Sequence, residues 1–124
     1  MKPFSINLEK ESLKNKFYRK VVYTDSKIQL VLMSLKVGED IPLEIHKNHD
    51  QFIRVESGKA IVKIDNKKII LGDGSSVIIP AGSFHYVGNY SKKLPLKLYT
   101  IYSPPEHPPR TVHKTFDEAK RYHH

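Results

Sequence analysis

Short apolar runs separated by turn residues constrain the fold of this chain more than any other feature of its sequence. Ala60, Val62 and Ile64 fall on one face of such a run. Lys63 and Asp65 fall on the other face, which is the two-residue period of a half-buried strand. Many short strands between turns are typical of a β-sandwich or β-barrel. The predicted strands are residues 18–23, 28–37, 43–46, 51–56, 59–65, 68–71, 77–79, 84–89 and 94–102.

The carboxyl-terminal part of the chain departs from this pattern. Four prolines lie within 103–110, and they exclude both a central strand and a helix interior because proline lacks a backbone donor. We therefore predict an extended strap across the surface of the domain. After the strap, Thr115 and Glu118 have the spacing of a capping box. This predicts a short helix from about Phe116 to Tyr122.

The chain length of 124 residues suits one domain, so we predict a single domain over 1–124 with its core at 18–102. We also predict a short helix within residues 5–16. Asn66-Lys67 is the predicted two-residue hairpin turn, because asparagine tolerates left-handed dihedral angles. His123-His124 is either native or the remainder of a purification tag.

Cysteine is absent from the sequence, which excludes disulfides, zinc fingers, iron–sulfur sites and thiol nucleophiles. No run approaches the roughly 18 apolar residues of a membrane span, and the first residues lack the apolar core of a secretory peptide. We therefore expect a cytoplasmic protein with no membrane partner.

The formal charge of +8 invites a nucleic-acid interpretation, since lysine and arginine number 21 against 13 acidic residues. However, the basic residues are scattered, and no run of them exceeds two. A solvated basic surface explains this distribution better than a nucleic-acid interface. Attraction of anionic small molecules is the alternative functional interpretation.

A set of polar residues carries the chemistry. Glu44 and His46 are two residues apart in a strand-like segment, so their side chains point to one face. Gln51 opens the next strand after a short loop, and a hairpin can bring it beside them. His85 follows a turn and can arrive from another strand. One carboxylate, two imidazoles and an amide oxygen suit a divalent first-row metal ion.

The sequence resembles the cupin superfamily, which carries two motifs of glycine, histidine and acidic residues. The second motif matches in full, at Gly74, Pro80, Gly82, His85 and Asn89. The first matches in spacing, at Gly38, Glu44, His46, Gln51 and Gly58, with two departures in residue type.

These two departures bear on metal affinity. Glu44 stands where the family usually has its first histidine, and Gln51 where it has glutamate. The site keeps one anionic ligand, but a neutral amide oxygen binds a cation more weakly than a carboxylate does. A pocket with residual or no metal is therefore the competing interpretation.

The resemblance implies an all-β fold, a double-stranded β-helix or jelly-roll barrel of six to eight strands with short terminal helices. It implies a divalent ion (Zn, Mn, Fe or Ni) near the barrel axis, held by Glu44, His46, Gln51 and His85. It also implies a homodimer, which would cover exposed edge strands. The chain further resembles a subgroup of single-domain cupins that shares its ends at 98–105 and 111–113.

Other polar and aromatic residues near the site have less definite roles. His49 is a candidate to replace a ligand and the one candidate for acid–base catalysis, although a loop histidine is often simply solvated. Asp50 is expected to cap the turn of the loop that contains it. Phe52 and Arg54 alternate with the inward residues and therefore face away from the metal. Three residues fit either the pocket lining or the core (Met33, Tyr99 and Tyr102), and a second metal site at His107 and His113 is disfavoured.

Three functions remain open. An enzyme would use the ion as a Lewis acid on a small oxygen-bearing substrate, in isomerase-like (as in mannose-6-phosphate isomerases), lyase-like or dioxygenase-like chemistry. A binding or sensor module would hold a small anionic ligand or sugar without turnover. A structural partner protein would have a closed, apolar barrel without an ion.

Overall fold

The structure, a computed structural model, describes residues 2–121. Within this range the chain forms ten strands and two short helices. In chain order they are α1 (Leu8–Lys14), β1 (Arg19–Thr24), β2 (Gln29–Leu35), β3 (Asp40–Ile45), β4 (Asp50–Ser57), β5 (Ala60–Ile64), β6 (Lys67–Leu71), β7 (Ser76–Ile79), β8 (Phe84–Asn89), β9 (Leu96–Ser103), β10 (Val112–His113) and α2 (Phe116–Arg121).

The strands form two antiparallel sheets, which confirms the predicted all-β fold. The larger sheet has the order β10-β1-β2-β9-β4-β7, and the smaller has the order β3-β8-β5-β6. Ten strands exceed the six to eight that the family resemblance implies, in part because the two-residue strand β10 was not predicted. It pairs with β1 at the edge of the larger sheet, where His113 lies opposite Arg19.

The core lies between the two sheets and consists of the inward residues of both. Ala60 and Val62 are fully buried while Lys63 is exposed, as the alternating pattern predicts. The other fully buried aliphatic residues are Val31, Met33, Leu35, Ile53, Val55, Leu96 and Leu98.

The hairpin turn between β5 and β6 lies one residue earlier than predicted. Ile64 pairs with Lys67, so Asp65 and Asn66 form the turn, and Asp65 has the left-handed backbone (φ 50°) expected of Asn66. The Asp65 carboxylate accepts a hydrogen bond from the backbone N–H of Phe84 at 3.0 Å. This bond ties the turn to β8 and favours aspartate at the left-handed position.

Both terminal helices are short. Helix α1 is capped by Asn7, whose side chain accepts a hydrogen bond from the N–H of Lys10 at 3.1 Å. Helix α2 has the predicted cap, since the Thr115 hydroxyl accepts from the N–H of Glu118 at 3.0 Å. Tyr122 and the pair His123-His124 lie outside the described residues. Neither helix is long and apolar enough to cross a membrane.

The strap over 103–110 is held by one buried side chain. Gln29 is fully buried at the start of β2, and its amide nitrogen donates to the carbonyl of His107 at 2.8 Å. Its amide oxygen accepts from the N–H groups of Glu106 and His107 at 3.1 and 2.9 Å. The strap therefore runs along the barrel in a fixed position, although it has no regular ladder of its own.

At Gly58 the backbone of one turn lies very close to the backbone of Pro95, and a substitution tests this contact. Gly58 has φ +102°, and a Cβ atom there would lie 2.7 Å from the carbonyl oxygen of Pro95. We expect Gly58→Ala to lower the free energy of unfolding by about 1–3 kcal/mol, because both backbone strain and a clash are introduced. Urea denaturation of the variant and wild type measures the change.

Gly72 provides the matched control. A Cβ atom at Gly72 would meet no atom within 4 Å. Gly72→Ala should therefore unfold at nearly the wild-type urea concentration. Equal stability of the two alanine variants would contradict the strain assigned to Gly58.

Candidate metal centre

Two neighbouring strands of the smaller sheet place the first two candidate ligands side by side. Glu44 on β3 lies directly opposite His85 on β8. The register of this pair shifts between Ile41 and Glu44, where Pro42 cannot donate a ladder hydrogen bond. Side chains directly opposite each other on one face are about 5 Å apart at Cβ, so Glu44 and His85 meet at the inner face.

His46 follows the end of β3 and is held there by its backbone. Its carbonyl accepts a hydrogen bond from the N–H of Gly82 at 2.8 Å, which ties the first motif to the turn of the second. One ligand atom from each of Glu44, His46 and His85 lies within 4.8 Å of the others. The structure therefore brings three of the four predicted ligands together.

Gln51, the fourth predicted ligand, opens β4 in the larger sheet. It is buried on the same face of the strand as Ile53 and Val55, which points it into the barrel. Its amide nitrogen donates to the hydroxyl of Thr100 at 3.0 Å. This leaves the amide oxygen buried without a hydrogen-bond partner among residues 2–121.

The two histidines also present ring nitrogens without a hydrogen-bond partner. Nδ1 of His85 lies 3.2 Å from the carbonyl oxygen of Ser83. A carbonyl only accepts, so Nδ1 carries the proton and Nε2 the lone pair. Nε2 of His46 and Nε2 of His85 are both buried with no hydrogen-bond partner in the described part of the chain. Buried polar atoms normally have a partner, and a cation is one that these atoms suit.

The structure adds Glu106, a residue that the sequence analysis did not identify. Its carboxylate oxygen Oε2 lies 2.5 Å from Nδ1 of His46, while Nε2 of His46 lies 3.5 Å from Oε1 of Glu44. A carboxylate that holds Nδ1 of a histidine fixes the ring orientation and directs Nε2 toward a metal ion. The sequence shows only that the strap contains a carboxylate. That this carboxylate reaches the site follows from the position of the strap, which the sequence does not reveal.

The charges around His46 oppose the effect of its burial. Burial lowers the pKa of His46, but the carboxylates of Glu106 and Glu44 outweigh it and raise that pKa to about 9. Without an ion the ring is therefore protonated at physiological pH, and a bound ion would replace the proton on Nε2. Burial also raises the pKa of Glu106, yet the hydrogen bond from His46 brings it below its ordinary value. Burial lowers the pKa of His85, so its imidazole is neutral at physiological pH.

His49 lies beside this group and contacts the strap. Its Nδ1 donates to the carbonyl of Pro104 at 2.8 Å, and its Nε2 lies 3.7 Å from Oε1 of Glu106. His49 is therefore held against the strap while part of its side chain stays accessible to solvent, and its catalytic role stays a prediction. His46, His49 and Glu106 form a second group whose ligand atoms lie within 4.8 Å of one another.

Asp50 does not cap the turn of the loop that contains it. Its carboxylate accepts from the N–H of Ala81 at 2.9 Å and thus holds the turn of the second motif. Phe52 and Arg54 face away from the site, as predicted. The ring centroids of Phe52 and Tyr99 lie 6.1 Å apart, and Nε of Arg54 lies 3.2 Å from Oε1 of Glu56.

Asn89 and the remaining aromatic residues have structural contacts. The Asn89 amide donates to the carbonyls of Leu35 and Leu94, at 3.1 and 3.0 Å, as expected of a residue that closes a turn. Met33 belongs to the core, and Tyr102 is a buried residue beside His46, with ring centroids 6.0 Å apart.

The site opens into a pocket of about 550 Å³ that the strap helps to enclose. His107 and His113 line this pocket, but neither belongs to a candidate ligand group among the described residues. The other lining residues are Arg19, Leu43, Glu44, Ile45, His46, Lys47, Asn48, His49, Glu106 and Pro108.

Comparison with known proteins places the fold and the motifs in one family. A family model described as a cupin domain matches residues 31–102. The crystal structure of BH2720 from Bacillus halodurans is similar over 97% of this chain and 95% of that chain, with a TM-score of 0.93 and 42% sequence identity. The uncharacterized protein YrkC of Bacillus subtilis is 45% identical over 124 residues, which cover 95% of this chain.

The relatives differ from this chain in length. The match spans 66% of YrkC, so this chain corresponds to about two thirds of that protein. A weaker similarity joins the chain to quercetin 2,3-dioxygenase of Bacillus subtilis, at 29% identity over 97 residues. That match covers 78% of this chain and 29% of the dioxygenase.

Proposed function

Because this chain belongs to the cupin family, we propose that it is a metal-dependent enzyme for a small oxygen-bearing molecule. Glu44, His46, Gln51 and His85 would hold one divalent ion, which is Zn, Mn, Fe or Ni. The observation that carries the proposal is the set of three buried atoms without a hydrogen-bond partner, Nε2 of His46, the amide oxygen of Gln51 and Nε2 of His85. Together with the Glu44 carboxylate they form a mixed nitrogen and oxygen set that suits a first-row metal.

Such an ion, when bound, supplies a Lewis acid that polarises a carbonyl or stabilises an enolate oxygen of the substrate. The protein's own residues hold the site in shape. Glu106 orients the His46 ring through Nδ1, Ser83 orients His85, and Thr100 orients the Gln51 amide. Each ligand therefore presents one defined atom before any substrate enters.

Proton transfer falls to His49 and Glu106 at the edge of the pocket. Because Nδ1 of His49 donates to the carbonyl of Pro104, Nε2 is the atom free to take a proton. Oε1 of Glu106, 3.7 Å away, stabilises His49 once it is protonated. The pair lines the same pocket as Glu44 and His46 and is placed to move a proton to or from a bound substrate.

The similarity to quercetin 2,3-dioxygenase supports dioxygenase-like chemistry, and the open, polar pocket equally accommodates isomerase-like or lyase-like chemistry. The alternative is a binding module that holds a small anionic ligand or sugar without turnover. Gln51 favours this alternative, since a neutral amide oxygen in place of the family's glutamate lowers the affinity of the site for the ion. The homodimer stays a prediction.

Metal content tests the proposed site directly. We expect tag-free protein purified without added metal to carry close to one ion per chain. Glu44→Ala and His85→Ala should each lose most of it, because each removes a ligand atom. Elemental analysis of the gel-filtered proteins measures the loss.

His107→Ala is the matched control. It removes an imidazole from the same pocket but from neither candidate ligand group. Equal metal content in wild type and His85→Ala would overturn the ligand assignment. If iron is found, oxygen consumption is the assay that separates an enzyme from a binding module; for Mn, Ni or Zn it is an isomerase and lyase screen.

A further inference from the structure

We propose that Arg19 binds an anionic group, a carboxylate or a phosphate, on the small molecule taken by the candidate metal centre. This inference rests on the proposed function, because it assigns the substrate class of the same pocket. It makes Arg19 a specificity-determining residue at the wall opposite the sheet that carries Glu44 and His85.

Arg19 is a buried cation on the inner face of the barrel. It is 7% exposed and lies on β1 opposite Met33, which is fully buried. Its guanidinium carbon lies 5.2 Å from the centre of the Tyr18 ring. The same residue lines the pocket that contains Glu44, His46 and Glu106.

No carboxylate among residues 2–121 neutralises this charge at contact distance, since none forms an ion pair with Arg19 within 4.0 Å. Its Nη1 instead donates to Nδ1 of His113 at 2.9 Å. Nε of Arg19 is buried without a hydrogen-bond partner in the described range. Arg54, on the outer face, shows the contrast because Glu56 pairs with it. A buried guanidinium without a counterion is costly, and a bound anion removes that cost.

The neighbouring histidine does not supply a competing charge. Burial, with a further contribution from Arg19, lowers the pKa of His107 to about 4, so its imidazole is neutral at physiological pH. His113 accepts from the guanidinium at Nδ1, which therefore carries no proton. Neither of these two histidines therefore adds a positive charge to that of Arg19.

The charge of the whole pocket also favours an anion. With a divalent ion in place, the charges of the ion and Arg19 exceed those of the Glu44 and Glu106 carboxylates by one positive charge, since His46 and His85 bind an ion as neutral imidazoles and Gln51 is uncharged. Lys47 adds a further positive charge at the pocket wall. A guanidinium presents parallel N–H donors that match the two oxygens of a carboxylate or phosphate. A substrate with an anionic group would thus reach both the ion and Arg19.

Anion binding to metal-free protein tests the proposal without relying on turnover. Protein stripped with EDTA and dialysed is titrated with inorganic phosphate and with acetate at constant ionic strength. The Nε–H signal of Arg19 is followed by nuclear magnetic resonance. We expect a saturable shift of that signal with at least one of the two anions. Tighter phosphate binding would indicate a phosphorylated substrate, and tighter acetate binding a carboxylic acid.

Arg19→Met keeps an unbranched side chain but removes its charge and its N–H donors, and it should weaken the binding at least tenfold. Arg54→Met, which removes an arginine from the outer face, should bind as wild type does. Undiminished binding in Arg19→Met, or an Arg19 signal that shifts with neither anion, would overturn the proposal. If Arg19→Met does not fold, the titration of the wild-type signal decides the matter by itself.

Failure of this proposal is distinguishable from failure of the metal site. Arg19→Met should retain the wild-type metal content, and His85→Ala should retain phosphate or acetate binding. Anion binding at Arg19 in a protein that takes up no metal would contradict the metal site alone. Full metal content without anion binding would contradict the role of Arg19 alone.

Discussion

Gln29→Leu is expected to lower the free energy of unfolding by roughly 3 kcal/mol, because it leaves three backbone groups of the strap without partners. These are the N–H groups of Glu106 and His107 and the carbonyl of His107. Leucine fills a similar volume, so the loss reflects hydrogen bonding more than a cavity. Urea denaturation of the variant and wild type measures the change.

Thr24→Val is the control for Gln29→Leu. It removes the hydrogen bond from the Gln29 amide to the Thr24 hydroxyl, at 3.0 Å, and leaves the strap contacts intact. We expect a loss of about 1 kcal/mol from it. Limited trypsin digestion adds a second readout, since a released strap exposes the bond after Arg110. A Gln29→Leu protein that is as stable and as protease-resistant as Thr24→Val would show that Gln29 does not hold the strap.

The hydrogen bonds from Gln29 to the strap also affect the candidate metal site. Gln29 fixes the main chain at Glu106, and the Glu106 carboxylate in turn fixes the orientation of His46. The hydrogen bonds of the buried Gln29 amide therefore influence the orientation of His46, a candidate ligand that follows β3. A variant at Gln29 should disturb metal binding although Gln29 is not itself a candidate ligand.

The second motif could be read from the sequence because its signals are local. Pro80 and Gly82 mark a turn, and the fixed spacing to His85 and Asn89 fits a strand that follows it. The structure has that strand at Phe84–Asn89, with the same bounds as predicted. Local alternation predicted the buried face of β5 in the same way.

Glu106 and Gln29 could not be identified in this manner. They are 77 residues apart in the chain, and their contact depends on where an irregular, proline-rich segment crosses the barrel. Such a segment has no periodicity from which a facing direction follows. The strand β10 escaped prediction for a related reason, because two residues are too few to show an alternating pattern.

The hairpin turn shows a subtler limit. Asp65 and Asn66 both tolerate a left-handed backbone, so propensity alone did not separate the two registers. The tie between Asp65 and Phe84 on β8, a strand 19 residues further along, favours the observed one. A tertiary hydrogen bond thus selects between two turn registers that local backbone preference does not distinguish.

Binding of a divalent ion should raise the unfolding temperature of the metal-free protein by about 10 °C when the free ion is a hundredfold above its dissociation constant. The gain arises because the ion binds the folded site, and the unfolded chain does not bring Glu44, His46 and His85 together. Differential scanning calorimetry of EDTA-stripped protein, with and without Zn²⁺ or Mn²⁺, measures it.

The double variant His46→Ala, His85→Ala should abolish this shift while it leaves a folded barrel. Neither side chain belongs to the hydrophobic cluster between the sheets, so the core retains its packing. His107→Ala, in the same pocket, should keep the full shift. If the double variant is still stabilised by the ion as strongly as wild type, the ion binds elsewhere, and the three buried unpartnered atoms belong to a polar site for an uncharged or anionic ligand. If the shift disappears in the double variant alone, the lone pairs of the two imidazoles are what the ion requires.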